Sequence, residues 1–306
     1  MQKRYRLLSI MLITAACIIL VIGILLSPSS SVDKDVFVAF KPGTGAGEVI
    51  LSTNNGQRVI LSSSQVDTLL ERPIDLLQKN KMLDYRQEEK TKIPEIHTLQ
   101  TSCSSFYQIT LSDGTQVWLN AESQLIYPSL FTGEERVVEL CGEGFFKVAH
   151  DSLRPFKVKV ENIVTEVLGT EFNVSGYKDE VHVYTTLVNG KVKVATTGRD
   201  MTLLPGEQCV LDTGDGSMIR QQVDVDKIIS WKKGKFILEE QTLEQIMQKL
   251  ARWYDITVFY QNPALKNKVF KGSVPRYAEL QQVLNILEKT GEVQFHIQNR
   301  TVIVKE

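Results

Sequence analysis

Cysteine is scarce in this sequence, with four residues in 306, and this scarcity excludes a scaffold built on disulfides. Net charge is almost absent, because 35 basic residues face 36 acidic ones. A protein that binds nucleic acid through phosphate contacts normally carries a basic excess, so that class is disfavoured. Hydrophobic residues make up 42% of the chain but form only one long run, which argues against a polytopic membrane protein.

Motifs for cofactors and catalysis are also missing. The sequence contains no P-loop, no GxGxxG fingerprint and no GxSxG nucleophile elbow. The four histidines lie far apart without metal-ligand spacing, and adjacent glutamates such as Glu134 and Glu135 do not define a glycosidase pair. We therefore predict a protein that is not an enzyme and has no metal, no cofactor and no small-molecule substrate.

The one long apolar run covers residues 7–26 and contains no charged side chain. As a helix it spans about 30 Å, the thickness of the hydrocarbon core of a bilayer. Lys3, Arg4 and Arg6 precede it, which places residues 1–6 in the cytoplasm and the bulk of the chain in the periplasm. We predict a single-pass anchor in the inner membrane. A cleaved signal peptide and a lipoprotein attached at Cys17 are the alternatives, and the length of the run disfavours both.

Short strands are predicted along most of the exported part. Residues 27–98 suggest a membrane-proximal spacer, a leading hairpin at 49–62 and a loop with a short helix over 65–97. Short strands, many with alternating apolar and polar residues, then recur every eight to twelve positions through residues 99–230, which indicates a β sandwich, barrel or solenoid. The predicted strands occupy residues 108–112, 116–120, 135–140, 144–149, 156–160, 164–168, 172–174, 181–187 and 191–194. Cys103, Cys141 and Cys209 lie among such residues, which favours buried thiols over a disulfide.

The pattern changes near residue 231. Thr242 and Gln245 form a capping-box signature, and apolar residues at helical spacing follow it. A second apolar stripe begins at Leu280, and Gly291 marks the end of that helix. With strands at 234–238, 256–260, 269–274, 293–297 and 301–304, residues 231–306 are predicted to form a small α+β domain of order β-α-β-β-α-β-β.

Several of these segments resemble the signatures of FecR-type proteins. The central similarities are in residues 109–123, 127–128, 131–136, 140–148 and 167–174. Residues 231–306 resemble the small domain that often follows a FecR domain and is similar to the secretin/TonB short N-terminal fold. The resemblance covers residues from about 49 to 306.

The resemblance implies a periplasmic signal-relay component of a transmembrane anti-sigma regulator. Such a protein contacts the periplasmic signalling domain of a TonB-dependent outer-membrane transporter for iron complexes or glycans, and controls an extracytoplasmic-function sigma factor. In the family, the sigma-binding segment that precedes the membrane span usually has several tens of residues. In this sequence only residues 1–6 precede the predicted span. The periplasmic role is therefore the stronger expectation. The alternative is a membrane-anchored scaffold or glycan-binding β protein without sigma-factor output.

Gly169 and Thr170 form the most specific chemical candidate. In some relatives the chain cleaves itself at such a bond, because the threonine hydroxyl can attack the preceding carbonyl and leave an ester that water opens. Glycine permits the backbone geometry that such an attack needs. The competing interpretation is an ordinary turn between two strands, and Gly-Thr pairs are common there.

Partner binding is predicted in the small C-terminal domain. Its exposed strand edges can pair with a like-folded domain, and aromatic side chains anchor many interfaces. The candidates are Trp253, Tyr254, Phe259 and Tyr260. The competing interpretation, that these side chains mainly fill the core, is favoured by the position of Tyr254 on the apolar stripe.

Overall fold

The computed structural model describes residues 47–61, 82–86, 94–238 and 240–306. The predicted membrane span at residues 7–26 and most of the predicted spacer lie outside these ranges. Within them, no helix has both the length and the apolar character needed to cross a bilayer. The described chain is mainly β, as predicted, with few helices.

Two β-sheets share one strand. The shared strand, β8 (Arg136–Lys147), is twelve residues long. The first sheet has the order β14-β13-β10-β9-β8-β7-β4-β1-β2 and the second has the order β3-β5-β6-β8-β11-β12-β15-β16. All neighbours are antiparallel except the pairs β8–β9 and β3–β5, which are parallel. The bounds in the first sheet are β1 Val49–Thr53, β2 Arg58–Ile60, β4 Ile96–Thr101, β7 Gln124–Pro128, β9 Phe156–Val160, β10 Ile163–Val167, β13 Val192–Thr196 and β14 Arg199–Leu203. Those in the second are β3 Met82–Asp84, β5 Tyr107–Thr110, β6 Gln116–Leu119, β11 Glu171–Gly176, β12 His182–Asn189, β15 Glu207–Asp212 and β16 Met218–Gln222.

The strand β8 corrects one prediction, since residues 135–140 and 144–149 are not separate strands. Its first half pairs with β7 and β9 and its second half with β6 and β11. The chain passes between the sheets at Gly142, whose φ is +102°. A Cβ atom there would lie 2.3 Å from Ser123 Oγ, so only glycine fits this corner. One apolar cluster draws on both sheets, including Val158 and Ile163 from the first and Ile109 and Phe172 from the second. We call this unit, β1–β16, the β module.

A second correction concerns residues 65–97, predicted as a loop with a short helix. Residues 62–81 and 87–93 lie outside the described part, but β3 forms at Met82–Asp84 and pairs in parallel with β5. Strand β4 begins at Ile96. The strands β7, β14, β15 and β16 were also missing from the prediction. The pairings of β3 with β5 and of β4 with β7 join residues distant in sequence, which local alternation cannot reveal. Strands β14 and β16 instead form hairpins with β13 and β15.

The C-terminal part follows the predicted order closely. Its elements are a short helix α1 (Val225–Ile228), a 3-10 helix (Ile229–Lys233), β17 (Lys235–Ile237), β18 (Gln241–Thr242), α2 (Leu243–Tyr254), β19 (Thr257–Tyr260), a second 3-10 helix (Pro263–Asn267), β20 (Val269–Phe270), β21 (Ser273–Pro275), α3 (Leu280–Glu288), β22 (Gln294–Gln298) and β23 (Thr301–Lys305). The capping box at Thr242 and Gln245 is confirmed. The strand predicted over 269–274 is instead two short strands, β20 and β21. Strands β19, β23 and β22 form a three-stranded sheet, and α2 and α3 share its apolar core. We call this unit, β17–β23, the α+β module.

Candidate functional site: the junction between the modules

The β module and the α+β module meet at a junction. On the side of the β module, three polar side chains supply the hydrogen-bond acceptors. Glu143 lies in β8, Asn120 follows β6, and Asn173 lies in β11. Asn120 Nδ2 donates to Glu143 Oε2 at 2.7 Å, and Asn173 Nδ2 donates to Glu143 Oε1 at 3.0 Å. The carboxylate thereby fixes both amide groups, so that each directs its carbonyl oxygen toward donors of the α+β side.

Arg276 is the first of these donors. It follows β21, its side chain is almost fully buried at 2% exposure, and Nη2 donates to Asn120 Oδ1. Nη1 donates to the carbonyl oxygen of Trp231 at 3.1 Å, and the guanidinium lies 3.7 Å from the ring centroid of Trp253. Burial lowers the pKa of Arg276 to about 10, which still leaves the group charged at neutral pH. The indole of Trp231 donates in turn to Asn173 Oδ1 at 3.4 Å.

Arg252, near the end of α2, makes the second contact. Its side chain is 7% exposed and reaches the loop between β11 and β12. Nη2 lies 2.7 and 2.8 Å from the two carboxylate oxygens of Asp179, and Nη1 lies 2.8 Å from Glu180 Oε1. The guanidinium also stacks 3.8 Å from the ring centroid of Tyr177. Burial raises the pKa of Glu180, and the charge of Arg252 acts in the opposite direction, so this arginine stabilises the ionised carboxylate.

A third contact involves the 3-10 helix that leads into the α+β module. Lys232 Nζ lies 4.0 Å from the ring centroid of Trp118 and 3.2 Å from that of Phe145. The two rings meet edge to face, and the ammonium is attracted to both π systems. Burial lowers the pKa of Lys232 to about 8.

The charges of the two segments complement one another across these contacts. Residues 99–230 carry 18 acidic and 11 basic side chains, whereas residues 231–306 carry eight acidic and 12 basic ones. Opposite net charges favour association of the two units and fix their register. The junction is thus an electrostatic contact with aromatic packing, and it contains no reactive pair of side chains.

The sequence did not reveal this junction. Arg252 and Arg276 resemble ordinary surface charges in the sequence, and Asp179 lies 73 positions away from Arg252. The only sequence signal is that each arginine adjoins an aromatic residue, Trp253 or Tyr277. Such a pairing is too common to identify a contact between domains.

The predicted partner-binding aromatics occupy different environments. Trp253 and Tyr254 are buried in the core of the α+β module, and Tyr254 donates its hydroxyl to the carbonyl oxygen of Ala278 at 2.8 Å. These two side chains are therefore not accessible to a partner in this structure. Tyr260 packs partly against the same core, whereas Phe259 is 58% exposed.

The Gly169–Thr170 bond lies between β10 and β11. A Cβ atom on Gly169 would lie 2.6 Å from His150 Nδ1 and 2.8 Å from His150 Cα, so close packing requires glycine here. Thr170 is buried, and its hydroxyl donates to the carbonyl oxygen of Lys191 at 3.0 Å. This arrangement serves a turn between strands. Attack on the Gly169 carbonyl would first require this hydrogen bond to break, so the geometry favours the ordinary turn over self-cleavage.

The described part of the chain shows no cluster of three or more potential metal ligands. Cys103, Cys141 and Cys209 are free thiols. Burial is the main cause that raises the pKa of Cys103 to about 12 and that of Cys209 to about 11, which keeps both protonated and weakly nucleophilic. A surface depression lined by residues 132–135 and 153–155 contains no histidine or cysteine.

Two family profiles match this sequence over separate ranges. The profile described as FecR protein matches residues 97–193, and the one described as FecR, C-terminal matches residues 235–304. Together they cover more than half of the chain. The chain belongs to the FecR family.

Two crystal structures, described as those of a candidate anti-sigma factor from Parabacteroides distasonis, are similar to this FecR-family chain. The structure at 1.65 Å resolution is 27% identical with a TM-score of 0.65, and covers 68% of this chain and 98% of its own. The structure at 2.50 Å is 27% identical with a TM-score of 0.64, and the corresponding shares are 69% and 99%. No curated protein matches the sequence.

Proposed function

We propose that this protein is a signal-relay component of an anti-sigma system. It couples a TonB-dependent outer-membrane transporter to an extracytoplasmic-function sigma factor. The observation that carries the proposal is the succession of both FecR-family modules in one chain that resembles a candidate anti-sigma factor along most of its described length. In this proposal residues 7–26 anchor the chain in the inner membrane, and the modules extend into the periplasm.

The junction supports a relay because it connects the two modules through buried, directional contacts. A partner that binds the α+β module and weakens the contacts of Arg252 or Arg276 also shifts the conformational equilibrium of the β module. The relay therefore needs no enzymatic step, and it uses protein contacts alone. Proteolysis downstream of such a change is compatible with the same arrangement.

A reporter assay in the native host tests this proposal. A promoter that depends on the sigma factor is measured with the gene present, deleted, and replaced by the Arg252→Ala variant. We expect deletion to change reporter output, and we expect the variant to uncouple output from transporter ligand when output is normalised to the level of the protein measured by immunoblot. Output that is identical in all three strains would favour the alternative, a membrane-anchored scaffold or glycan-binding β protein.

A further inference from the structure

The loop between β4 and β5 lies between the start of strand β1 and the end of helix α2. This loop, residues 102–105, directly follows β4, in which Thr101 pairs with Val49 of β1. Its contacts differ from the side-chain contacts of the junction, because they reach the backbone on both sides. We call residues 102–105 the bridging loop.

The bridging loop caps the C-terminal end of helix α2. The backbone N–H of Ser104 donates to the carbonyl oxygen of Arg252 at 3.1 Å, and the hydroxyl of Ser104 donates to the carbonyl oxygen of Trp253. The last four carbonyl groups of a helix find no donor within the helix, so they need partners outside it. Helix ends are usually capped by the residues that follow them. Here two of the terminal carbonyl groups depend on the β module instead, from a serine 149 positions before Trp253.

The opposite side of the bridging loop holds the chain where it enters β1. The backbone N–H of Ser102 donates to the carbonyl oxygen of Glu48 at 2.9 Å, and the hydroxyl of Ser105 lies 3.4 Å from the same oxygen. A Cβ atom on Gly47 would lie 2.0 Å from the carbonyl oxygen of Cys103, so the two backbones meet without room for a side chain. In the proposed function, residues 47 and 48 connect the β module to the membrane side.

The contacts with α2 hold this region in an unfavourable backbone conformation. Ser104 has a φ of +60°, and Glu122, in the turn before β7, has a φ of +52°. Glu122 accepts from the thiol of Cys103 at 2.8 Å and lies 3.8 Å from Nε of Arg252. Left-handed backbone is uncommon at serine and glutamate, and it persists where surrounding contacts impose it. Loss of the contacts with α2 therefore allows the bridging loop to relax.

We propose that the bridging loop is a conformational coupling element, which transmits release of the end of helix α2 to the start of strand β1. In one state the loop caps α2 and holds Glu48, and in the other it has left α2 and relaxed. Release at Arg252 removes the contacts of Ser104 and Glu122 together, because both residues contact this arginine. The biological role of this element rests on the proposed signal-relay function, whereas the coupling itself is a property of the chain alone.

Hydrogen–deuterium exchange of the full-length chain in detergent micelles tests the coupling from the side of α2. Ser104→Ala removes the hydroxyl that donates to Trp253. We expect exchange of the amides of residues 254–256, at the end of α2, to become about tenfold faster. Coupling predicts that exchange at residues 49–52 of β1 also becomes about threefold faster. The matched control Ser152→Ala, in an exposed loop of the β module, should leave both segments unchanged.

The reverse experiment perturbs the side of β1. Gly47→Ala introduces a Cβ atom against the carbonyl oxygen of Cys103. We expect about threefold faster exchange at residues 254–256, which lie in the other module. Gly133→Ala is the control, since a Cβ atom there has its nearest neighbour at 3.7 Å, and it should change neither segment. Exchange in α3 should match the wild type in every variant, which shows that the fold is retained.

The pattern of exchange decides the inference. Faster exchange at both segments, with α3 unchanged, supports the coupling element. Faster exchange only at the segment next to each substitution overturns it. If Gly47→Ala also accelerates exchange in α3, that variant is globally destabilised and Ser104→Ala decides alone.

Failure of this inference and failure of the proposed function give different results. The exchange experiment needs neither a transporter nor a sigma factor, so exchange that stays local overturns the coupling element and leaves the proposed function standing. Reporter output that is unchanged by deletion of the gene contradicts the proposed function and leaves the measured coupling intact.

Discussion

Arg252 makes three ion pairs with the β module, to Glu122, Asp179 and Glu180, and its removal leaves Glu180 without its partner in a desolvated site. We expect Arg252→Ala to lower the free energy of unfolding by about 3–5 kcal/mol, because breaking one side of a buried pair leaves an uncompensated charge. The free energy of unfolding of Arg252→Lys should lie between those of the wild type and Arg252→Ala, since lysine retains the charge but not the bidentate contact. Urea denaturation measures both variants.

The control for this prediction is Arg300→Ala. Arg300 pairs with Asp255, but its side chain is 63% exposed, so the loss should be below about 1 kcal/mol. Equal losses of unfolding free energy in Arg252→Ala and Arg300→Ala would show that the burial of Arg252 does not add to stability.

Packing requires glycine at position 169, whether or not the Gly169–Thr170 bond is cleaved. We expect Gly169→Ala to destabilise the protein by about 1–3 kcal/mol, because the new Cβ atom meets the backbone of His150. Gly133→Ala is a suitable control, since the nearest atom to a Cβ atom there is 3.7 Å away. Thermal unfolding compares the two variants, and equal melting temperatures would contradict the packing argument.

The same purified protein also tests self-cleavage. The Thr170 hydroxyl is already engaged with the carbonyl oxygen of Lys191, so we expect intact mass spectrometry to show a single uncleaved species. Two fragments that meet between residues 169 and 170, and that disappear in Thr170→Ala, would instead establish cleavage at this bond.

Helix α2 depends on the hydrogen bonds of its first turn. The backbone N–H of Gln245 donates to Thr242 Oγ1 at 3.3 Å, and the backbone N–H of Thr242 donates to Gln245 Oε1 at 3.0 Å. We expect Thr242→Ala to cost about 1 kcal/mol, the usual value of an N-cap. Thr132→Ala, in an exposed loop, should change stability by less than about 0.5 kcal/mol. Urea midpoints that move equally would contradict a capping role.

Strand β4 contains a buried histidine that makes the β module sensitive to acid. His97 Nδ1 lies 2.7 Å from the hydroxyl of Tyr85, and burial lowers the pKa of His97 below its usual value near 6.5. The unfolded chain therefore takes up a proton at a higher pH than the folded one does. The contribution of His97 to the free energy of unfolding is fully present above about pH 7, and it decreases as the pH drops below about 6.5.

Denaturation between pH 7.5 and 5.5 measures this effect. We expect His97→Gln to show a flatter decline in unfolding free energy than the wild type. His182→Gln should retain the wild-type decline, because His182 is 39% exposed. A decline that is unchanged in His97→Gln would assign the acid sensitivity to other groups.

Local signals explain which elements were predictable. The neighbouring strands predicted at 108–112 and 116–120, the capping box at Thr242 and the stripe of α3 each depend on signals within a few residues of sequence, and each forms as predicted. The sequence predicts a break between two strands near Gly142, because a glycine inside an alternating pattern often marks a turn. The structure instead has one strand, β8, that continues through Gly142 from the first sheet into the second. The junction could not be predicted at all, since its partners are up to 156 positions apart.

Each module is built around one apolar cluster, and Ala121 of the β module packs into the cluster of the α+β module. We expect calorimetry of the wild type to show one cooperative transition. The double variant Arg252→Ala/Arg276→Ala should show two, because each core then unfolds independently. Lys193→Ala/Arg199→Ala removes the same number of positive charges from β13 and β14 and should retain one transition. Two transitions in the wild type would contradict this coupling.

The shared strand β8 also determines how the chain can be divided into fragments. A polypeptide that stops before Gly142 contains only the half of β8 that belongs to the first sheet, and one that starts after it contains only the half that belongs to the second. Neither piece can complete a two-layer core. Useful truncation boundaries therefore lie at residues 223–230, after the last strand of the β module, and gene dissection within residues 136–176 yields material that cannot fold.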